Sequence, residues 1–241
     1  MKTLLLPLIL AVTVGHAYAA PVPATAPQLT TMAKRFEQVD MRADTSHLSK
    51  GDKAAIARLI EAAKVIDTLQ LRQRWAHNEA LWEALKKDAT PLGKARLDYF
   101  WLNKGPWSHL DENKSFMPAQ YKGIAIPAQK PPGANFYPEG ATKEALEAWM
   151  NALPAQDKQD AQWFFTTIRT GADGKFKVVK YSDEYRPELE KLAGLLREAA
   201  SHTDNASLKK FLTLRADAFL SNDYLESDFA WMDLDSPVDV T

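Results

Sequence analysis

Six of the chain's fourteen prolines fall between Gly105 and Glu139, an interval with no sustained hydrophobic period. Proline lacks an amide N–H and fixes its own φ, so neither a helix interior nor a central strand can run through such a stretch. The interval must be a long irregular segment whose backbone polar groups are satisfied by neighbours or water.

N-terminal to the interval, Ser49 and Asp52 make a capping-box pattern, and Ile56, Leu59, Ile60, Ala63, Ile66 and Leu69 recur at helical spacing. A helix is expected from near Lys50. The apolar series continues through Trp75, Leu81, Trp82 and Leu85, which fits one long helix or two broken between Gln70 and Arg74. Thr90-Pro91 supplies an N-cap and a first-turn proline for a shorter helix through Leu97, Phe100 and Trp101, stopped at Gly105-Pro106.

C-terminal to it, Thr142 caps a helix whose first turn holds Glu144 and whose apolar side is Leu146, Trp149 and Met150. Another helix is expected from about Pro154 to Ile168, and a short strand over Phe176 to Tyr181 after the Asp173-Gly174 turn. Pro187 opens a helix through Leu189, Leu192, Leu195, Leu196 and Ala199, and the Asp204 to Ser207 stretch recaps a second through Leu208, Phe211, Leu214, Ala218 and Phe219. These two are expected to form an antiparallel hairpin. No fixed-period repeat argues for a solenoid. The fold class is mainly α with a minor β component.

Lys2, the apolar run Leu4 to Val14 and the small residues of Ala17-Tyr18-Ala19 read as a secretory signal, cleaved after Ala19. An uncleaved anchor fits less well, because the run is shorter than the ~20 residues that span a bilayer and contains Pro7. Residues 1–19 are therefore read as signal peptide, 20–31 as a flexible proline- and alanine-rich leader, and 32–241 as a mainly helical region incomplete at its C-terminus. The expected location is periplasmic or secreted, with no stable membrane anchor after cleavage. The chain has no cysteine, which excludes a lipid-modified cysteine, disulfides, thiolate metal sites and cysteine nucleophiles. Its formal charge is −1, and losing Lys2 with the signal leaves no overall basic field for nucleic acid.

A zinc hydrolase commonly uses two histidines one helical turn apart with a glutamate beside them. Beyond the signal the histidines are His47, His77, His109 and His202, and no two are three or four positions apart. His77-Asn78-Glu79 begins such a motif, but Leu81 does not complete it, so His77 reads as a helix-surface residue. His109 beside Asp111 and Glu112 is a local site candidate, against the reading that this loop satisfies its own backbone. His202 suits a helix C-terminus. No Gly-x-Ser-x-Gly elbow, Gly-x-Gly-x-x-Gly loop or Walker pattern occurs, which argues against a serine hydrolase of that type and against nucleotide hydrolysis.

Trp107, Phe136 and Tyr137 lie in the irregular segment, where aromatics can line a binding groove. Trp75, Trp82, Trp149 and Trp163 follow helical patterns and are expected in the core. After Arg215 come Asp217, Asp223, Glu226, Asp228, Asp233, Asp235 and Asp239 with no Lys or Arg among them. That run reads as a solvated face or as an attraction for a cation or a substrate amine.

Three phrases, KGPWSHLDENKSF at Lys104 to Phe116, KPPGANFYPEGATKEALEAW at Lys130 to Trp149 and LTLRADAFLSNDYLESDFAWMDLDSPVDVT at Leu212 to Thr241, give a resemblance to bacterial relatives of dipeptidyl peptidase III. The resemblance spans Met32 to Thr241 and implies zinc-dependent exopeptidases with two lobes around a wide cleft, of which this chain would be the N-terminal helical lobe. The His-Glu-x-x-Gly-His helix that supplies most of that family's zinc ligands is not in this sequence. The implied zinc is therefore expected in a full-length relative, with none bound by this chain. Asp239 matches an acidic position that, by the resemblance, receives the free amino group of a bound peptide through a charge-assisted hydrogen bond. The family's acid is usually glutamate, and Thr241 stands where its following tyrosine is expected.

The expected function is the N-terminal part of a secreted or periplasmic zinc-dependent exopeptidase of the dipeptidyl peptidase III type. It would contribute peptide-binding surface without being catalytic alone, and its partner would be a peptide substrate, met through the full-length form. The alternative is a stand-alone periplasmic helical peptide-binding or interaction protein without metal. A third reading is an enzyme with a site around His109 and Asp111. The ending Asp239-Val240-Thr241 reads as the entrance to a strand.

Overall fold

The computed structural model describes residues 23–240, so the signal segment 1–19 and its cleavage position, the start of the leader and Thr241 lie outside the described residues. In chain order the structure runs through α1 (Ala26–Ala33), α2 (Lys50–Arg74), α3 (Asn78–Lys86) and α4 (Pro91–Asn103). Two short antiparallel hairpins follow, β1 (Trp107–Ser108) with β2 (Lys114–Ser115) and β3 (Gln120–Tyr121) with β4 (Ile124–Ala125). Then come α5 (Lys143–Asn151), α6 (Ala155–Ala161), the hairpin β5 (Thr166–Thr170) and β6 (Phe176–Lys180), α7 (Tyr181–Glu184), α8 (Arg186–His202), α9 (Ala206–Ser221) and α10 (Leu225–Met232). The described chain is mainly helical with minor β structure.

The axis of the molecule is α2. Ser49 Oγ accepts from the Asp52 amide at 3.0 Å and donates to the Asp52 carboxylate at 2.8 Å, which closes the first turn. At ~1.5 Å per residue the helix runs roughly 37 Å, long enough to serve two cores. Ala55, Ala62, Val65 and Leu69 pack against α8 and α9, whereas Leu71 and Trp75 enter a second core with α1, α3 and α4. Two residues turn the helix by roughly 200°, so Leu69 and Leu71 face opposite directions. A third, smaller core holds Leu146, Ala161 and Ile168 between α5, α6 and the β5–β6 hairpin.

The α8–α9 hairpin has the expected antiparallel form, recapped by Asn205, whose side chain accepts from the Leu208 amide at 2.9 Å. Buried Thr203 in the connection donates to the buried Asp52 carboxylate at 2.7 Å, tying the start of α2 to the end of α8. These hydroxyls hold the Asp52 carboxyl below its usual range, Thr203 contributing most. The approach is close enough that a Cβ on Gly51 would lie 2.2 Å from the His202 carbonyl oxygen, so glycine is required there. His202 ends α8, as a cation-capable residue at a helix C-terminus should.

Four expectations are corrected. The part of the leader from Ala26 onward is not extended: α1 begins with a Thr25–Gln28 capping box, and Leu29, 1% exposed, packs in the core with Tyr99 and Phe100. One buried leucine and a cap outweigh the proline-rich composition. The helix placed at Pro154 to Ile168 stops at Ala161, and Thr166–Thr170 is a strand paired with β6. The β-branched run Thr166-Thr167-Ile168 favours the pleated surface, and the Asp173-Gly174 turn brings its partner back. Trp163 is not core but 47% exposed beside Phe164. Asp239 and Val240 are not in a strand, and the preceding Val238 packs into the α2–α8–α9 core.

Candidate functional site

The site candidate forms where α2 ends. Trp75 leaves helical geometry with φ −166° and ψ 137°, and α3 restarts at Asn78, so the break lies just past the Gln70 to Arg74 window. Asn78, fully buried, holds the corner by donating to the Leu71 and Lys104 carbonyls, both at 3.0 Å. Trp75 meets Trp107 edge-on at 5.0 Å, and the Trp107 indole donates to the Pro127 carbonyl at 2.8 Å. Trp107 is thus buried and structural, which corrects its reading as a groove aromatic.

Across this corner lies the loop from Lys130 to Ala141. Pro131 and Pro132 stiffen its entry. Gly133 then turns with φ +77°, and a Cβ there would also sit 2.9 Å from the Tyr137 ring. Asn135 is clamped on both sides: its side chain donates to the Arg72 carbonyl at 2.9 Å, and its own carbonyl accepts from Arg169 at 2.9 Å. Arg169 is itself held by Glu184 at 2.7 Å. Arg72 joins Glu79 of α3 at 2.8 Å and Glu188 of α8 at 2.6 Å, and this pairing raises its pKa and binds three helices at the loop's base.

Between this loop, Trp75 and α5 is an open groove of about 670 Å³. Trp75, Leu146 and Met150 make it apolar; Tyr137, Glu139, Lys143 and Glu147 add an aromatic and charges. Tyr137 is exposed there, as expected of a groove aromatic, while Phe136 is half-buried and stacked near Tyr181. His77 sits before α3, its Nε2 3.5 Å from Glu139 at the groove's edge. The Trp75 indole N–H is buried without a partner among the described residues, a state that buried donors rarely keep.

The other sequence candidates lie elsewhere. Asp239 is exposed in a separate depression of about 520 Å³ with Asp44 and His47, sharing no lining residue with the groove. Asp111 does not face His109 as an acid–base pair: it takes two hydrogen bonds from Arg35 and one from Ser108, and His109 Nδ1 lies 2.9 Å from Asn103 Oδ1. Arg35 first and Ser108 second pull the Asp111 carboxyl down to about 2, so it stays a fixed anion. In the acidic C-terminal run, Asp217 and Asp228 are paired with Arg197 and Arg215. Asn135 and Arg169, the clamp of the groove, carry no local sequence pattern that marks them.

Among the described residues no three His, Asp or Glu side chains converge as metal ligands, so these residues do not fit the implied zinc. No described helix is long and apolar enough to cross a membrane.

No protein-family model matches the chain. It is similar in structure to dipeptidyl-peptidase III from Corallococcus sp. strain EGB, with a TM-score of 0.84 and 51% identity over 89% of this chain and 39% of that one. It is also similar to DPP III from Caldithrix abyssi, with a TM-score of 0.79 and 39% identity over 86% of this chain and 38% of that one. A curated relative, Nudix hydrolase 3 of Arabidopsis thaliana, is 36% identical over 255 residues, covering 88% of this chain and 33% of its own length. The chain thus spans a third of that relative and about two fifths of the solved ones.

Proposed function

We propose that this chain, similar to two bacterial dipeptidyl-peptidase III structures, is the N-terminal part of a secreted or periplasmic zinc-dependent exopeptidase of that type and supplies peptide-binding surface to it. The observation that carries this reading is the groove beneath the Lys130 to Ala141 loop, with an apolar interior and polar groups beside it. Such a combination suits a peptide, whose side chains need apolar contact and whose backbone needs hydrogen-bonding partners. Pro131 and Pro132 remove N–H donors from the loop entry and their carbonyls are acceptors for peptide amides, whereas the Pro138 carbonyl already accepts from the Ala141 amide. Clamping by Asn135 and Arg169 means little conformational freedom is lost on binding.

In this reading the residues that hold zinc and carry out hydrolysis belong to another part of the protein, and this part is not catalytic by itself. Asp239 remains the proposed receiver of the peptide's amino group. It lies outside the groove, so the two would contact different parts of a peptide or act in different states.

The test is the intact mass and zinc content of the native protein isolated from its own cells, fractionated into periplasm, medium and cytoplasm. A zinc-containing species more than twice 27.0 kDa outside the cytoplasm is the expected result. A metal-free species slightly below 27.0 kDa that still binds peptides would replace this proposal with the stand-alone binding protein.

A further inference from the structure

Helix α10 divides its residues the wrong way round for a helix on a water-facing surface. Its buried positions are Ser227 and Ala230, whereas Leu225, Phe229 and Met232 are each more than half exposed. Those three recur at i, i+4 and i+7, so they form one apolar stripe along the helix. Single exposed hydrophobic residues are ordinary, but a row of large ones marks a surface that another surface covers.

The same helix lines a groove. Trp231 of α10, Leu59 and Ile66 of α2, and Phe211 and Phe219 of α9 border an open depression of about 620 Å³, in which Ile66 and Trp231 are both close to half exposed. The charged residues of its lining, Arg215 and Asp228, are paired with each other at 2.7 Å. It shares no lining residue with the groove beneath the Lys130 to Ala141 loop.

Charge and chain length choose the occupant. On and around α10 stand Asp223, Glu226, Asp233 and Asp235, and no Lys or Arg follows Arg215. An anionic membrane surface is repelled by that rim, and a second copy would bring the same acids against themselves. The remainder of a longer protein meets neither objection. The two dipeptidyl-peptidase III structures are matched over only 39% and 38% of their length, and Val240, next to Thr241, lines the groove.

We infer that the α10 stripe and this groove are an internal interface, covered in the longer protein by an apolar segment of the polypeptide beyond Thr241. This rests on the reading of the chain as the N-terminal part of that protein. Such an interface holds the following part against α2, α9 and α10 without occupying the proposed peptide groove.

The test is methionine oxidation by hydrogen peroxide on the intact native protein, with the rate at each site read by peptide mass spectrometry and divided by its rate in denaturant. Met117 is fully buried and Met41 is 90% exposed, which gives a slow and a fast reference in the same molecule. Met232, 73% exposed on this chain, is expected to react about tenfold more slowly than in denaturant. It should stay slow on dilution of a species larger than 27.0 kDa. A larger species in which Met232 reacts as fast as in denaturant would overturn the interface and leave the longer-protein reading standing. Protection lost on dilution would also overturn it, since the cover is then a second copy. A native species no larger than 27.0 kDa would overturn both.

Discussion

The helical bundle of α2, α8 and α9 and the proline-rich loop from Lys130 to Ala141 are held by opposite means. In the bundle, Ala55, Leu192, Leu196, Leu208 and Leu212 are each almost fully buried, and cohesion is spread over many contacts worth ~25 cal/mol per Å² of apolar area. In the Lys130 to Ala141 loop no residue is fully buried, and conformation depends on individual donors: Asn135 on Arg72 and Arg169 on Asn135. Distributed burial makes a region stable. Single anchors make a region shaped, and a groove needs shape.

The largest expected effect lies in the bundle. Leu208→Ala should cost about 2–5 kcal/mol through lost burial and a residual cavity, read as a lower midpoint in urea. Peptide affinity below the transition should hold, and a shape change in the groove would blur the contrast. Asn78→Ala, which strands the Lys104 carbonyl and leaves that of Leu71 with the Trp75 amide alone, should cost about 2 kcal/mol and weaken peptide binding as well. Asn135→Ala should cost only about 1 kcal/mol of stability, yet reduce peptide affinity by more than Leu208→Ala does; equal affinities would remove the distinction between cohesion and shape.

A smaller effect is pH-dependent. Asp111 titrates at about 2 in the folded protein, below the ~3.9 expected of an unfolded carboxyl. Its contribution is therefore present above about pH 4 and fades as pH falls toward 2, so the melting curves of wild type and Asp111→Asn should converge over that window. Solvent reaches both partners of the Arg35–Asp111 pair, which keeps the gap modest. The smallest effect belongs to Arg42→Gln: its pair with Asp40 is 85% and 71% exposed, and stability should change by less than about 0.5 kcal/mol.

Local rules were legible where one residue type decides the geometry. Ser49, Thr90 and Thr142 cap their helices as expected, and the break after α2 falls one residue past the expected window. The readings failed where a nonlocal partner outvoted composition. Pro27 suggested an extended leader, but Leu29 found Tyr99 and Phe100; Trp163 followed a helical pattern until β6 drew the next residues into a hairpin. His109 and Asp111 are adjacent in sequence, yet Asn103 takes one and Arg35 the other, because neighbouring side chains in a turn diverge.

By itself the sequence determined the helical class, most helix starts and the irregular character of the proline-rich interval, because capping, periodicity and the missing proline donor act within a few residues. It also held the phrases that resemble bacterial relatives of dipeptidyl peptidase III. Only the tertiary structure decided that Trp107 is buried, that Tyr137 is open to a groove and that Asp239 lies apart from it. Those outcomes depend on which distant groups arrive first in a crowded, partly desolvated space, and no local spacing encodes that.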